Sequence, residues 1–247
     1  MEKSETQFIS DLADKSITIS HEILEYFDLQ RVDRFYNFLL SKNSAGGFFS
    51  SHDSSRVAER HILEGMVAIG ALIKATTVSR ETVVADAGSG PGLPGFLFYC
   101  LKESPLVTLI DSSRRRLGML ERFYQDLGSE KADGENRVNF IYSRLEEIKG
   151  AFDLITIRAL IPFPFCLELI CRLVKENGYV SYFAADNTPT LDGHESYLYG
   201  MGFSLQKIIP LEGVEFIGSR NIYLLKKSGR TDRQYPRQWK KIKSEIT

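Results

Sequence analysis

The sequence predicts an α/β fold, a seven-stranded and mostly parallel sheet covered by helices, with an N-terminal helical cap. Three observations carry this expectation. From about residue 82, short apolar runs alternate with amphipathic stretches, the pattern of βαβ crossovers. The first of these runs passes straight into a cluster of glycines, as a strand does when it turns sharply into a helix. The chain ahead of residue 80 shows helical rather than alternating spacing.

Taken in order, Ile23, Phe27, Val32, Phe35 and Leu39 predict a helix over residues 16–40. The stretch SKNSAGGFFSSHDSS breaks it. Ile62, Met66, Ile69 and Ile73 predict a second helix over 55–74, capped by Ser54 or Ser55. TVVADAG, LVTLID, RVNFIY, FDLITIRAL and YVSYFAA then read as strands. LPGFLFYCLK, RRRLGMLERFYQDLG and PFCLELICRLVKENG read as helices, the last ending on Gly178. A helix near 190–200 and two weaker strands, 203–210 and 220–226, complete the sheet, with the final pair antiparallel. The expected organisation is a helical cap over 1–80, a ligand-binding domain over 81–228 and a basic tail over 229–247, too polar for core.

Composition narrows the functional classes. The 247 residues are 43% hydrophobic and 26% charged, ordinary for a folded protein. No apolar run approaches the ~18–20 residues of a membrane span, and the N-terminus lacks a secretory layout, so a cytoplasmic protein is expected. Cys100, Cys166 and Cys171 form no metal-ligand pattern and read as buried thiols. The net charge of −1 conceals a gradient: residues 1–30 carry two lysines against seven acids, and residues 229–247 six bases against two acids. Any nucleic-acid contact must therefore use a local patch. In the tail, Tyr235 and Trp239 interleave the bases, a composition suited to base stacking and phosphate contact as well as to a solvated terminus.

The main chemical signal is Asp86-Ala-Gly88-Ser-Gly90-Pro-Gly92-Leu93-Pro-Gly95. Glycines let the backbone turn tightly and approach a ligand. Gly90-x-Gly92-x-x-Gly95 fits a dinucleotide fingerprint; Gly88-x-Gly90-x-Gly92 fits the loop of enzymes using S-adenosylmethionine. Asp86, ahead of the first glycine, would repel a pyrophosphate and suit a ligand bearing an ammonium and a sulfonium, which favours S-adenosylmethionine over NAD or a ligand-free turn. Asp111 ends the second strand, where it can accept both ribose hydroxyls of either cofactor. Ser112-Ser113-Arg114-Arg115-Arg116 reads as an exposed first helical turn or as a phosphate contact.

VADAGSGPGLPG, LIDSSRRRLGMLE, YSRLEEI and FDLITIRAL, in this order and spacing, resemble the bacterial small-subunit ribosomal RNA methyltransferase G family, RsmG or GidB. ERHILEG upstream and GSRNIYLL with YPR downstream extend the resemblance over roughly 55–240. It implies a Rossmann-like class I S-adenosylmethionine-dependent methyltransferase acting on guanine N7 in 16S rRNA of the small ribosomal subunit; no membrane partner is expected, and the chain is expected to be a monomer, a state its composition does not determine. Carried over, Gly88 and Leu93 match cofactor contacts, Asp111 the ribose-binding acid, and Leu145-Glu146 the pair bordering adenine. Arg158 matches an arginine between cofactor and nucleic acid, expected to be both cofactor-binding and catalytic, and His61 matches the histidine of the family's RHILDS helix. Asp86, Gly90 and Gly92 complete the expected cofactor set. The chain departs where the family has Lys-Gly after the fifth strand, here Ala184 to Asp186, and where GGFFSS replaces Asn-Leu-Thr.

Guanine N7 carries a free lone pair, so its methylation requires alignment rather than a general base. The chain fits this, having Arg158-Ala-Leu where exocyclic-amine enzymes carry Asn/Asp-Pro-Pro-aromatic. Phe163 and Phe165 read either as base-stacking residues or as core. Arg158 also has a structural alternative, an ion pair with Glu146 or Asp111. Another RNA, a small molecule, or a catalytically impaired binding module remain competing functions.

Overall fold

The computed structural model describes residues 6–44, 48–128, 135–185, 188 and 193–246. The chain begins with α1 (Gln7–Ala13), α2 (His21–Tyr26), α3 (Leu29–Ser44) and α4 (Ser51–Ser54). The helix expected over 16–40 is thus two helices preceded by another. The side chain of Ser20 caps α2, and the Asp28 carboxylate accepts the N–H groups of Gln30 and Arg31 at 3.0 and 3.2 Å, starting α3 afresh. Between them Phe27 forms a β-bridge with Leu101. The second expected helix is continuous but opens as a π-helical segment, Ala58–Leu63, before α5 (Glu64–Ala75). Ser50, rather than Ser54 or Ser55, supplies a cap, and it caps α4.

The sheet consists of β1 (Val83–Ala87), β2 (Leu106–Ile110), β3 (Val138–Ile141), β4 (Phe152–Ile157), β5 (Val174–Ala185), β6 (Phe203–Pro210) and β7 (Arg220–Lys227). Their order is β3-β2-β1-β4-β5-β7-β6, parallel from β3 to β5 and antiparallel where β7 enters between β5 and β6. Helices α6 (Gly95–Tyr99), α7 (Arg114–Asp126) and α8 (Glu195–Gly200) follow β1, β2 and β5. Gly95 lets α6 lie directly on the sheet, because a Cβ there would come within 2.4 Å of Asp86 Cβ and 2.5 Å of Leu109 Cδ2. The helix expected to run to Gly178 is a short 3-10 turn, Phe165–Leu169, after which β5 begins at Val174 opposite Phe152. The segment FCLELICRLV has helical composition, but pairing with β4 takes its end.

Strand alternation divides the core. Val84, Val107, Leu109 and Leu154 face a cluster shared with Phe8, Phe35, Ile62, Met66, Phe96 and Leu120, so the N-terminal helices, α6 and α7 cover one face. Ala85, Ile110, Ile155, Ile157 and Val180 face the second cluster, with Phe163, Cys166, Ile170 and Leu198. Cys100, Cys166 and Cys171 are free and buried, and burial pushes their thiols up.

The tail also belongs to the second cluster, contrary to its expected polarity. Tyr235 is buried against Tyr197, ring centroids 5.5 Å apart, and Ile242 of α9 (Trp239–Ile246) is fully buried. Burying such an isoleucine contributes about 1.5–3 kcal/mol. Arg237 Nε donates to the fully buried Glu168 at 2.9 Å, and the Arg237 backbone N–H donates to the same carboxylate at 2.9 Å. Burial would raise the Glu168 carboxyl, but the hydrogen bonds from Arg237 and Tyr197 outweigh it and hold it below the usual range. Arg172 Nε donates to the Tyr235 carbonyl at 2.8 Å. Among the described residues no helix is long and apolar enough to cross a membrane.

Candidate functional site

β1 lies between β2 and β4, so the strand order reverses there, and a crevice opens beyond the carboxyl ends of β1, β2, β3 and β4. Two clefts occupy it. The glycine-loop cleft, about 410 Å³, gathers Gly88, Gly90, Asp111, Leu145 and Glu146 of the expected set, with Arg116, Leu169 and Trp239. The arginine cleft, about 450 Å³, gathers Arg60, Glu64, Arg158, Phe183, Arg220 and Asn221. Ala159, Leu160 and Ile161 line both.

The glycine loop is held by backbone contacts. Gly88 and Gly90 take φ of +78° and +54°, a left-handed conformation that costs other residues about 1–2 kcal/mol. Ser89 Oγ donates to the Asp86 carbonyl at 2.8 Å and accepts the Ile110 N–H at 2.9 Å, tying the loop to β2. Asp111 Oδ2 accepts the Gly90 N–H and Oδ1 accepts the Ser113 N–H, both at 2.7 Å. Each oxygen keeps a lone pair for a hydroxyl. A Cβ on Gly90 would meet nothing closer than the Gly88 carbonyl at 4.0 Å, so the loop backbone there faces open space. A carboxylate beside glycine backbone and an apolar wall of Leu145, Ile161 and Leu169 fits an adenosine group.

Four expected cofactor residues lie elsewhere. Asp86 turns to the other face of β1, 1% exposed, where Oδ1 accepts the Thr156 hydroxyl at 2.8 Å and Oδ2 the Gly95 N–H at 3.0 Å. Burial pushes its carboxyl up to about 6 despite these hydrogen bonds. Asp86 therefore fastens α6 to the sheet and does not line the glycine-loop cleft. Gly92 has φ of +100°, and a Cβ there would come within 2.4 Å of Leu120 Cδ2, so its smallness serves packing. Leu93 is buried in the first core cluster. Arg158 ends β4 as expected but enters the arginine cleft, not the cofactor-side one.

Arg158 pairs with neither Glu146 nor Asp111. Its Nη2 contacts Glu64 Oε2 at 2.7 Å, the Arg60 carbonyl at 2.8 Å and His61 Nδ1 at 3.1 Å. Arg220 Nε reaches the other oxygen of Glu64 at 3.0 Å, so one buried carboxylate joins β4, β7 and α5. Arginine only donates, hence His61 Nδ1 accepts and the ring proton lies on Nε2, which is buried and has no hydrogen-bond partner among the described residues. Burial first, then the Arg158 charge, lowers the His61 pKa to about 3. The ring stacks on Phe49, centroids 4.4 Å apart.

Glu64, Arg220 and Phe183 escaped the sequence reading. Phe183 lies beneath Arg158, the guanidinium carbon 6.0 Å from its ring centroid. Phe163, a stacking candidate, is core, packed on Tyr182 and Tyr223; Phe165 packs edge-on to Tyr197. Ala184 lines the arginine cleft where a lysine was missed, while Asp186, the other candidate position, lies outside the described residues. Ala159 takes φ of +51°, strained for alanine, at the junction of the two clefts.

Comparison with known proteins agrees with this architecture. A solved magnesium protoporphyrin IX methyltransferase from Synechocystis, with bound S-adenosylmethionine, shares the fold at TM-score 0.54 and 17% identity, over 78% of this chain and 91% of that one. Ribosomal RNA small subunit methyltransferase G of Leptospira biflexa is 44% identical over 219 residues, 89% of this chain and 88% of the relative. The Bacillus subtilis protein of that name is 25% identical over 237 residues, 94% of each chain. Residues 28–189 match the family profile of GidB, rRNA small subunit methyltransferase G. The seven-stranded sheet is thus that of a class I S-adenosylmethionine-dependent methyltransferase, and the chain belongs to the rRNA small subunit methyltransferase G family.

Proposed function

We propose that this protein transfers a methyl group from S-adenosylmethionine to N7 of a guanine in 16S rRNA, with the glycine-loop cleft holding the cofactor and the arginine cleft the base. The observation that carries this reading is the meeting of the two clefts across Ala159, Leu160 and Ile161. In this reading residues 81–228 carry the reaction, 1–80 cap it and 229–247 close its far side, all within a single cytoplasmic chain.

S-adenosylmethionine supplies an electrophilic methyl group on sulfonium. Asp111 receives the ribose hydroxyls, Leu145 and Glu146 border adenine, and the backbone of Gly88 and Gly90 admits the ligand closely. Leu160 lies against Gly88, where a Cβ would come within 2.6 Å of its Cδ1, and borders the junction of the two clefts. Arg158 and Arg220 present positive charge toward the guanine O6 or a phosphate. Donation to N7 itself would occupy the attacking lone pair.

Support for N7 over an exocyclic amine comes from the lining of the arginine cleft. Among its described residues, Glu64 is the carboxylate, and two guanidiniums hold it. Alignment, not proton removal, is the chain's contribution. Single-turnover methylation of assembled small subunits should stay nearly flat from neutral to mildly alkaline pH, and 7-methylguanosine should vanish from 16S rRNA when the gene is deleted. A steep rise with pH would exclude N7 as nucleophile.

A further inference from the structure

We propose that Trp239 is a cofactor-positioning residue, a stacking wall for the adenine ring contributed by the C-terminal helix. The proposal rests on the reading of the glycine-loop cleft as the cofactor site, and adds a residue from a segment whose basic and aromatic composition suggested RNA contact instead.

Three observations converge on it. Trp239 lines the cleft together with Asp111, Leu145, Glu146 and Leu169, the residues around the expected adenosine position. Trp239, Ile242 and Ile246 fall at i, i+3 and i+7, on one stripe of α9, and Ile242 of that stripe is fully buried. The indole is therefore turned toward the body of the protein, while Lys240, Lys241 and Lys243 are exposed. Trp239 itself keeps 38% of its surface exposed although its helix is docked, as an aromatic ring does when one face remains open for a partner.

The helix is positioned by means independent of any ligand. Two residues before Trp239, Arg237 is held by Glu168 through side chain and backbone and donates to Tyr197 Oη at 3.1 Å. Arg237 Nη1 also reaches Glu245 of α9 at 2.6 Å, fixing the helix along its length. A flat heteroaromatic base is the ligand chemistry that an indole on such a fixed helix, lining a cleft with Leu145 and Leu169, recognises, since stacking requires area and orientation rather than matched hydrogen bonds.

Trp239 is the sole tryptophan of the chain, so its fluorescence reports on this position alone. Titration with S-adenosylhomocysteine should change the emission saturably, in step with binding heat measured by calorimetry. Adenosine should do the same and methionine should not. Trp239→Ala should weaken S-adenosylhomocysteine about tenfold, as loss of a base–aromatic stack does, and Trp239→Phe should recover most of it. The Phe variant covers the case in which Ala loosens α9. Equal affinity of wild type and Trp239→Ala, unchanged emission at calorimetric saturation, or a response to methionine in place of adenosine would each overturn the proposal. No binding of S-adenosylhomocysteine by the wild type would defeat the cofactor reading of the cleft, and this proposal with it.

Discussion

The glycine-loop cleft is shaped by backbone, the arginine cleft by charge. In the first, Gly88 and Gly90 adopt left-handed angles and Asp111 ties the Gly90 N–H to the Ser113 N–H of its own turn, all within about 25 residues of sequence. In the second, Glu64 holds Arg158 and Arg220, residues that meet only once α5, β4 and β7 have assembled. A site made by local geometry should fail by losing its ligand. One made by a buried ion cluster should fail by losing stability as well.

That contrast can be broken most forcefully at Glu64. Glu64→Gln leaves two guanidiniums without their buried anion, and removing one partner of such a cluster costs about 3–5 kcal/mol. Denaturant unfolding should show this loss, with methyl transfer reduced and affinity for S-adenosylhomocysteine nearly unchanged in the folded fraction. A variant with full stability would show that solvation suffices for the two arginines without the Glu64 charge. Gly88→Ala tests the other cleft. The left-handed backbone and the contact with Leu160 together predict cofactor affinity lower by about 100-fold. Calorimetry showing wild-type affinity would refute the backbone account.

A smaller effect, read by pH, tests the histidine beside the arginine cleft. His61 has its folded pKa depressed to about 3, against ~6.5 in the unfolded chain. Its contribution is therefore present above about pH 6.5 and is lost as pH falls toward 3. Asp86, raised to about 6, acts in the opposite sense, losing its contribution as pH rises through that value. Between pH 7 and 5 the wild type should lose about 1–2 kcal/mol more stability than His61→Asn, because Asp86 is common to both and cancels. Parallel stability curves would mean that His61 titrates normally.

The same contrast explains what could be read from the sequence. The strand alternation, the glycine turn and Asp111 are patterns of neighbouring residues, and the sheet with its reversal point follows from them. Glu64 sits in ERHILEG as one more polar residue on a helix; nothing nearby signals that Arg158 and Arg220 will enclose it. Asp86 was placed correctly at the strand end, but which face it takes depends on Thr156 beside it in β4 and on Gly95 above it. The tail misled for a third reason. Its apolar stripe is only Trp239, Ile242 and Ile246 among lysines, and its strongest attachment is an arginine, a residue type ordinarily read as solvated.

That attachment governs how the chain's end behaves. Arg237 grips Glu168 just ahead of α9, and Ile242 is fully buried within it. Release of the tail requires abandoning a fully buried carboxylate, a step of about 3–5 kcal/mol. At tenfold per ~1.4 kcal/mol, roughly one molecule in a hundred or fewer has the tail detached at any moment. Residues 229–246 thus stay docked in nearly every copy of the protein, and the cleft keeps Trp239 in its lining.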